Sequence, residues 1–99
     1  MNITLKPVHF KADKKLETFV KERLQKMVTL YEGIVGSEVI LKLENSETPD
    51  NKVVEIRLAI RGYDLFAKKQ ARTFEQATDD VIEALRKQLL KHKEKVRGI

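Results

Sequence analysis

Residues 65–76, LFAKKQARTFEQ, decide the fold. Read as a strand, Leu65, Ala67 and Ala71 share one face, with Phe66, Lys68, Gln70 and Arg72 opposite. The Ala, Lys and Gln content suits a helix equally well. The next residues break the tie. Thr73-x-x-Gln76 is a capping-box signature, a hydroxyl placed to take an orphan amide at a helix start. A helix that begins at Thr73 leaves Leu65 to Arg72 as a separate element, and the period of two makes it a strand.

Upstream, Val54, Ile56, Leu58 and Ile60 line one face, while Glu55, Arg57 and Arg61 line the other, the pattern of a half-covered antiparallel strand. Gly62-Tyr63-Asp64 is the expected turn into the next strand. From Val39 the same period appears, with Val39, Leu41 and Leu43 on one face and Ile40, Lys42 and Glu44 on the other. Between these runs NSETPDNK, residues 45–52, is dense in turn formers, with a hairpin tip expected at Pro49-Asp50-Asn51. At the start, Ile3 and Leu5 alternate with Thr4 and Lys6, and Pro7 limits pairing, so Asn2 to Pro7 reads as a short strand. A helix follows it. Asp13 caps it, Gly33 is expected at its C′ position, and Leu16, Phe19, Val20, Leu24, Met27 and Tyr31 cluster on roughly 80° of arc, Phe19 a little beyond. Arg23 sits inside that arc and Lys26 just past its edge. They either snorkel from the helix flank or point along a rim toward a partner.

The predicted order is β-α-β-β-β-α, an α+β two-layer sandwich. A four-stranded sheet carries two helices packed on one face, as in double-stranded-RNA-binding domains. Residues 1–99 form a single domain, since the length supports one core and no linker interrupts it. The other sheet face carries Lys42, Arg57, Arg61, Lys68 and Arg72 mixed with Glu44 and Glu55, and is expected to be mostly solvated.

The last helix concentrates the charge. From Arg86 to Arg97 there are six Lys or Arg (Arg86, Lys87, Lys91, Lys93, Lys95 and Arg97) against Glu94, a surplus equal to the net charge of +5 of the whole chain. At about 100° per residue, Ala77, Val81, Ile82, Leu85, Leu89 and Val96 form the buried stripe. Arg86, Lys93 and Arg97 lie on one side of it, with Leu90 between them. Lys87, Lys91 and Lys95 make a separate row, with about 6 Å of rise between successive charges. Dipole complementarity accounts for one or two terminal charges and fades within a turn. A membrane-surface helix needs a second apolar stripe that is not there. Six cations on a rigid rod suit phosphate contact with structured RNA. The sheet lacks the aromatic pair that base stacking requires, having only Phe66 near such a position.

Other chemistry is not expected. The chain has no cysteine, and its two histidines, His9 and His92, have no metal-spaced partner. His92, at the stripe's edge, is expected to be packed or to cap. Asp79, Asp80 and Glu83 lack the further ligands a Mg²⁺ site needs. No phosphate loop or nucleophile elbow occurs. The expectation is a non-enzymatic cytoplasmic protein with no cofactor, no metal, no small-molecule substrate and no membrane association, since neither a signal peptide nor a long apolar run is present.

With that element order and the ending DDVIEALRKQLLKHKEKVR, the chain resembles the short bacterial ribosome hibernation-promoting factors, also called the ribosome-associated inhibitor or sigma-54 modulation family. The NIT start, the FVKERLQKM helix core and above all RKQLLKHKEK carry the resemblance. It implies binding to the small ribosomal subunit between head and body, in the messenger and transfer RNA channel. That would inhibit translation and preserve inactive ribosomes in stationary phase or stress. Lys87, Gln88, Lys91, Lys93 and Lys95 would then face ribosomal RNA, and Arg23 and Lys26 match a basic pair in the family's first helix. With Arg86 and Arg97 from the charge pattern, these are the candidate RNA-binding residues. Ala84 replaces a frequent family lysine, and Phe74-Glu75 stands where Met-Tyr is common. The long form's ribosome-pairing domain is not expected here, so pairing of ribosomes by this protein alone is not expected either; off the ribosome it is taken as a monomer. A general double-stranded RNA-binding module and a protein-interaction modulator of a sigma factor are the alternatives.

Overall fold

The computed structural model describes residues 2–31, 33–44 and 47–96, without the side chains of Leu30, Tyr63 and residues 93–96. The order is β1 (Asn2–Val8), α1 (Lys14–Leu30), β2 (Ile34–Leu43), β3 (Lys52–Ile60), β4 (Tyr63–Ala71) and α2 (Phe74–Val96), so the β-α-β-β-β-α order stands. The four strands lie in sequence order in one sheet. β1 runs parallel to β2, with Leu5 opposite Val39, and β2, β3 and β4 meander antiparallel. The parallel pair requires a crossover, and α1 is that crossover.

Strand alternation builds the core. Val39 and Leu41 from β2, Val54, Ile56 and Leu58 from β3, and Leu65, Ala67 and Ala71 from β4 are buried on one face. Val20, Leu24 and Met27 of α1 and Ala77, Val81, Leu85 and Leu89 of α2 cover them. The tie at residues 65–72 therefore resolves as strand. Leu16, Phe19 and Tyr31 pack half-buried at the margin of this core.

Both helix starts follow the sequence. Asp13 accepts from the Leu16 N–H at 2.8 Å, and Thr73 Oγ1 accepts from the Gln76 N–H at 3.0 Å. The capping box is half closed, however. The Gln76 side chain reaches forward to Asp80 Oδ1 at 2.9 Å, one turn along the helix, instead of back to Thr73. The end of α1 also departs from expectation. Tyr31 is the C-cap in extended conformation, and Gly33, at φ 94°, stands two residues beyond it.

β2 starts at Ile34, five residues before the alternation becomes visible. Gly36 and Ser37 are poor strand formers, yet β1 on one side and β3 on the other pair them in a ladder with a bulge between Ile34 and Gly36. In the first hairpin Asn51 departs from its expected place at the tip. The Glu44 N–H donates to the Asn51 carbonyl at 2.9 Å, which makes Asn51 part of the loop's base. In the second hairpin Tyr63 already pairs with Ile60, so the turn is Arg61-Gly62, with Gly62 at φ 100°.

The two helices run parallel. β1 and β4 point the same way, and each is followed by a helix that returns along the sheet. The contacts rise together in number: Leu16 shares a hollow with Glu75, Arg23 pairs with Asp79, and Met27 shares a groove with Glu83 and Arg86. Phe10 and Phe74 stack at 4.6 Å between ring centres and join the two N-terminal ends. Because α2 has 23 residues and α1 has 17, the last turns of α2 reach past the end of α1, by about 10 Å at the helical rise.

Candidate nucleic-acid interface

Burial fixes the rotation of α2. Val81 and Leu85 are fully buried, and Leu89 is 5% exposed, whereas its neighbour Leu90 is 49% exposed. Leu90 looks toward the side α1 would cover, at a level α1 no longer reaches. Thr78 is also fully buried, which the hydrophobic pattern misses. Its hydroxyl donates to the Phe74 carbonyl at 2.7 Å, so the polar atom is satisfied within the helix.

The candidate cations fall on two sides of this buried stripe. On the α1 side, Arg23, Lys26 and Arg86 line one open groove of about 380 Å³, together with Met27, Ile82, Asp79 and Glu83. Arg23 Nε lies 3.4 Å from Asp79 Oδ1, and its guanidinium sits 4.8 Å over the Phe19 ring. Arg86 Nη1 lies 3.4 Å from Glu83 Oε2. Both pairs are about half exposed. Arg23 thus leaves the core arc by crossing to the neighbouring helix, with its charge over an aromatic ring.

On the β4 side, Lys87 and Lys91 are exposed at i and i+4. Among the described residues neither takes part in an ion pair. Lys93 and Lys95 lie within α2 but their side chains fall outside the described set, and Arg97 lies outside the described residues altogether. Gln88, between the two lysines, is half-buried, and its Nε2 donates to the Phe66 carbonyl of β4 at 2.9 Å. β4 is an edge strand, so one of its carbonyls takes a helix side chain as partner. That bond locks the turn of α2 from which Lys87 and Lys91 project.

The sequence missed the two carboxylates. Asp79 meets Arg23 only because α1 runs alongside α2, whereas Glu83 meets Arg86 within α2 itself, at i and i+3. The sequence also missed Lys69, which shares the helix-covered parity of Ala67 and Ala71 yet is exposed because β4 is the sheet edge. The open sheet face is mixed in charge, as expected, with Lys6–Glu38 at 3.8 Å and Lys42–Glu44 at 3.9 Å. Val53 is fully buried on that face, flanked by its cross-strand neighbours Lys42 and Gln70. Phe66 is exposed there.

Among the described residues no group of three or more His, Cys, Asp or Glu side chains is placed to hold a metal. No described helix is long and apolar enough to cross a membrane. His92 is half-buried near the helix end.

Fold and charge together define a small α+β protein whose second helix is held by its apolar face and presents cations on both flanks. The chain belongs to the sigma 54 modulation protein / S30EA ribosomal protein family, whose model matches residues 2–97. Two Pseudomonas putida proteins, each called ribosome hibernation promoting factor, are 27% identical over 99 residues, covering all of this chain and 93% of theirs. A ribosomal subunit interface protein from Coxiella burnetii has the same fold, with a TM-score of 0.85 at 17% identity, over 95% of this chain and 99% of that one. So does the N-terminal domain of Protein Y from Thermus thermophilus, at 0.79 and 18% identity, over 93% and 99%.

Proposed function

We propose that this protein is a ribosome hibernation factor. In this reading residues 1–99 act as one ribosome-binding domain on the small subunit, in the channel that messenger and transfer RNA use. Occupancy of that channel inhibits translation and preserves idle ribosomes in stationary phase or stress. The protein acts in the cytoplasm without catalysis or cofactor, and it is a monomer off the ribosome.

The observation that carries the reading is the exposed Lys87–Lys91 row on a helix whose opposite face is fixed in the core. Lys95 continues that row by helical spacing. A cation on a rigid element gains from phosphate contact and counterion release without first having to be ordered. Arg23, Lys26 and Arg86 form a second contact region, and helical spacing in the sequence puts Lys93 and Arg97 on the same side of α2 as Arg86. Gln88 contributes by holding the row in place through β4. Family membership and the hibernation factor name of the Pseudomonas putida relatives support the ribosome as partner.

Competition tests the channel. Small subunits preloaded with messenger and initiator transfer RNA are expected to exclude the protein, and the protein to exclude them. Simultaneous occupancy would count against the reading. Helix-borne phosphate contact is blind to sequence, which favours a general double-stranded RNA-binding module as second reading. Equal affinity for a plain duplex and for the subunit would support that.

A further inference from the structure

The groove between α1 and α2 has an unexpected composition for a phosphate-binding surface. Three cations converge on it, Arg23, Lys26 and Arg86, but Asp79 and Glu83 stand among them, each 3.4 Å from a guanidinium. The groove's formal charge is therefore +1, against +2 for Lys87 and Lys91 across the helix, which form no ion pair among the described residues.

Two ordinary explanations fall short. Acidic residues near a helix start complement its dipole, but that effect fades after the first turn. The first-turn acid of α2 is Glu75, and Asp79 and Glu83 lie in later turns. Ion pairs also stabilise folds, yet pairs as exposed as these contribute little. Side-chain exposures are 45% and 48% for Arg23 and Asp79, and 48% and 57% for Arg86 and Glu83.

We infer that Asp79 and Glu83 are specificity-determining residues that repel the regular phosphate backbone of plain duplex RNA from the α1–α2 groove. The inference rests on the reading of this chain as a binder of ribosomal RNA and names how that RNA is told from other RNA. A continuous duplex laid along α2 brings phosphates to both flanks, and on the α1 side they meet carboxylates. A folded RNA that places phosphates on Lys87 and Lys91, and meets the groove only at isolated points on the solvent side of Arg23, Lys26 and Arg86, avoids both carboxylates. Discrimination built from repulsion suits a contact that reads no bases.

The test is the isosteric double substitution D79N/E83Q, titrated by fluorescence anisotropy against a blunt RNA duplex of about 16 to 20 base pairs and against purified small subunits. Removing two carboxylates is expected to tighten duplex binding about tenfold and to change subunit binding less than about threefold. The freed guanidiniums are expected to steepen the duplex salt dependence by about one to two in log–log slope. Unchanged or weaker duplex binding would overturn the inference, and a matching gain on subunits would do so as well. Loss of binding to both RNAs would instead assign the carboxylates to positioning the arginines. The single variants D79N and E83Q, checked by thermal melting, keep the test open should the double variant unfold. Failure of the unsubstituted protein to bind subunits would remove the underlying reading while the duplex comparison still reports on the carboxylates.

Discussion

Arg23 Nε in α1 lies 3.4 Å from Asp79 Oδ1 in α2, and this pair marks the level at which the two parallel helices meet. Because both groups are about half exposed, the pair aligns the helices more than it stabilises them. A double-mutant cycle with R23A and D79A is expected to give a coupling below about 1 kcal/mol in urea unfolding. R23A alone is expected to cost more than D79A, since it also removes the contact over the Phe19 ring, worth about 0.5–1 kcal/mol. Equal single costs would contradict that division.

Leu89 and Leu90 are adjacent and opposite in fate. Leu89→Ala is expected to destabilise by about 2–5 kcal/mol through the cavity it leaves. Leu90→Ala is expected to stay within about 0.5 kcal/mol. Urea unfolding of the two variants checks the helix rotation directly, and the opposite ranking would mean that the cation rows point elsewhere.

Ser37 faces the core from β2, between Ile3 and Leu58, and its Oγ is buried with no hydrogen-bond partner. An unsatisfied buried hydroxyl costs stability that an alanine does not. Ser37→Ala is expected to stabilise by about 1 kcal/mol and raise Tm by about 4–8 °C. A lower Tm would show that the hydroxyl is satisfied.

Gln88 is a candidate RNA contact whose amide the fold already uses. Gln88→Ala is expected to cost about 1 kcal/mol of stability by freeing the Phe66 carbonyl. Its effect on subunit affinity is expected to be small beside that of the lysines. Calorimetric melting together with subunit sedimentation separates the two roles. A large affinity loss at unchanged Tm would make Gln88 a direct contact.

Much of the fold was legible because local signals agreed. The alternation of Val54, Ile56 and Leu58, the Asp13 and Thr73 caps and the stripe through Ala77, Val81 and Leu85 each report their own surroundings, and burial follows them. What was not legible depends on partners distant in sequence. Gly36 and Ser37 join a strand only because β1 and β3 pair with them, and Val53 is buried on the supposedly solvated face, between its cross-strand neighbours Lys42 and Gln70. The site divides in the same way. The exposed lysine row follows from helical spacing alone. The Arg86–Glu83 pair follows from i, i+3 spacing too, but that Arg23 is engaged by Asp79, and Gln88 by a strand carbonyl, required the neighbouring elements to be placed.

The central claim is that the Lys87, Lys91 and Lys95 row makes the phosphate contacts that hold this protein on the small subunit. Sedimentation with purified small subunits over a salt series, comparing the unsubstituted chain with K87E/K91E/K95E, tests it most directly. The account predicts affinity that falls with salt for the unsubstituted chain. For the triple variant it predicts a loss of about a hundredfold or more, with a log–log slope flatter by about two to three. Unchanged affinity and slope in a folded triple variant would contradict it.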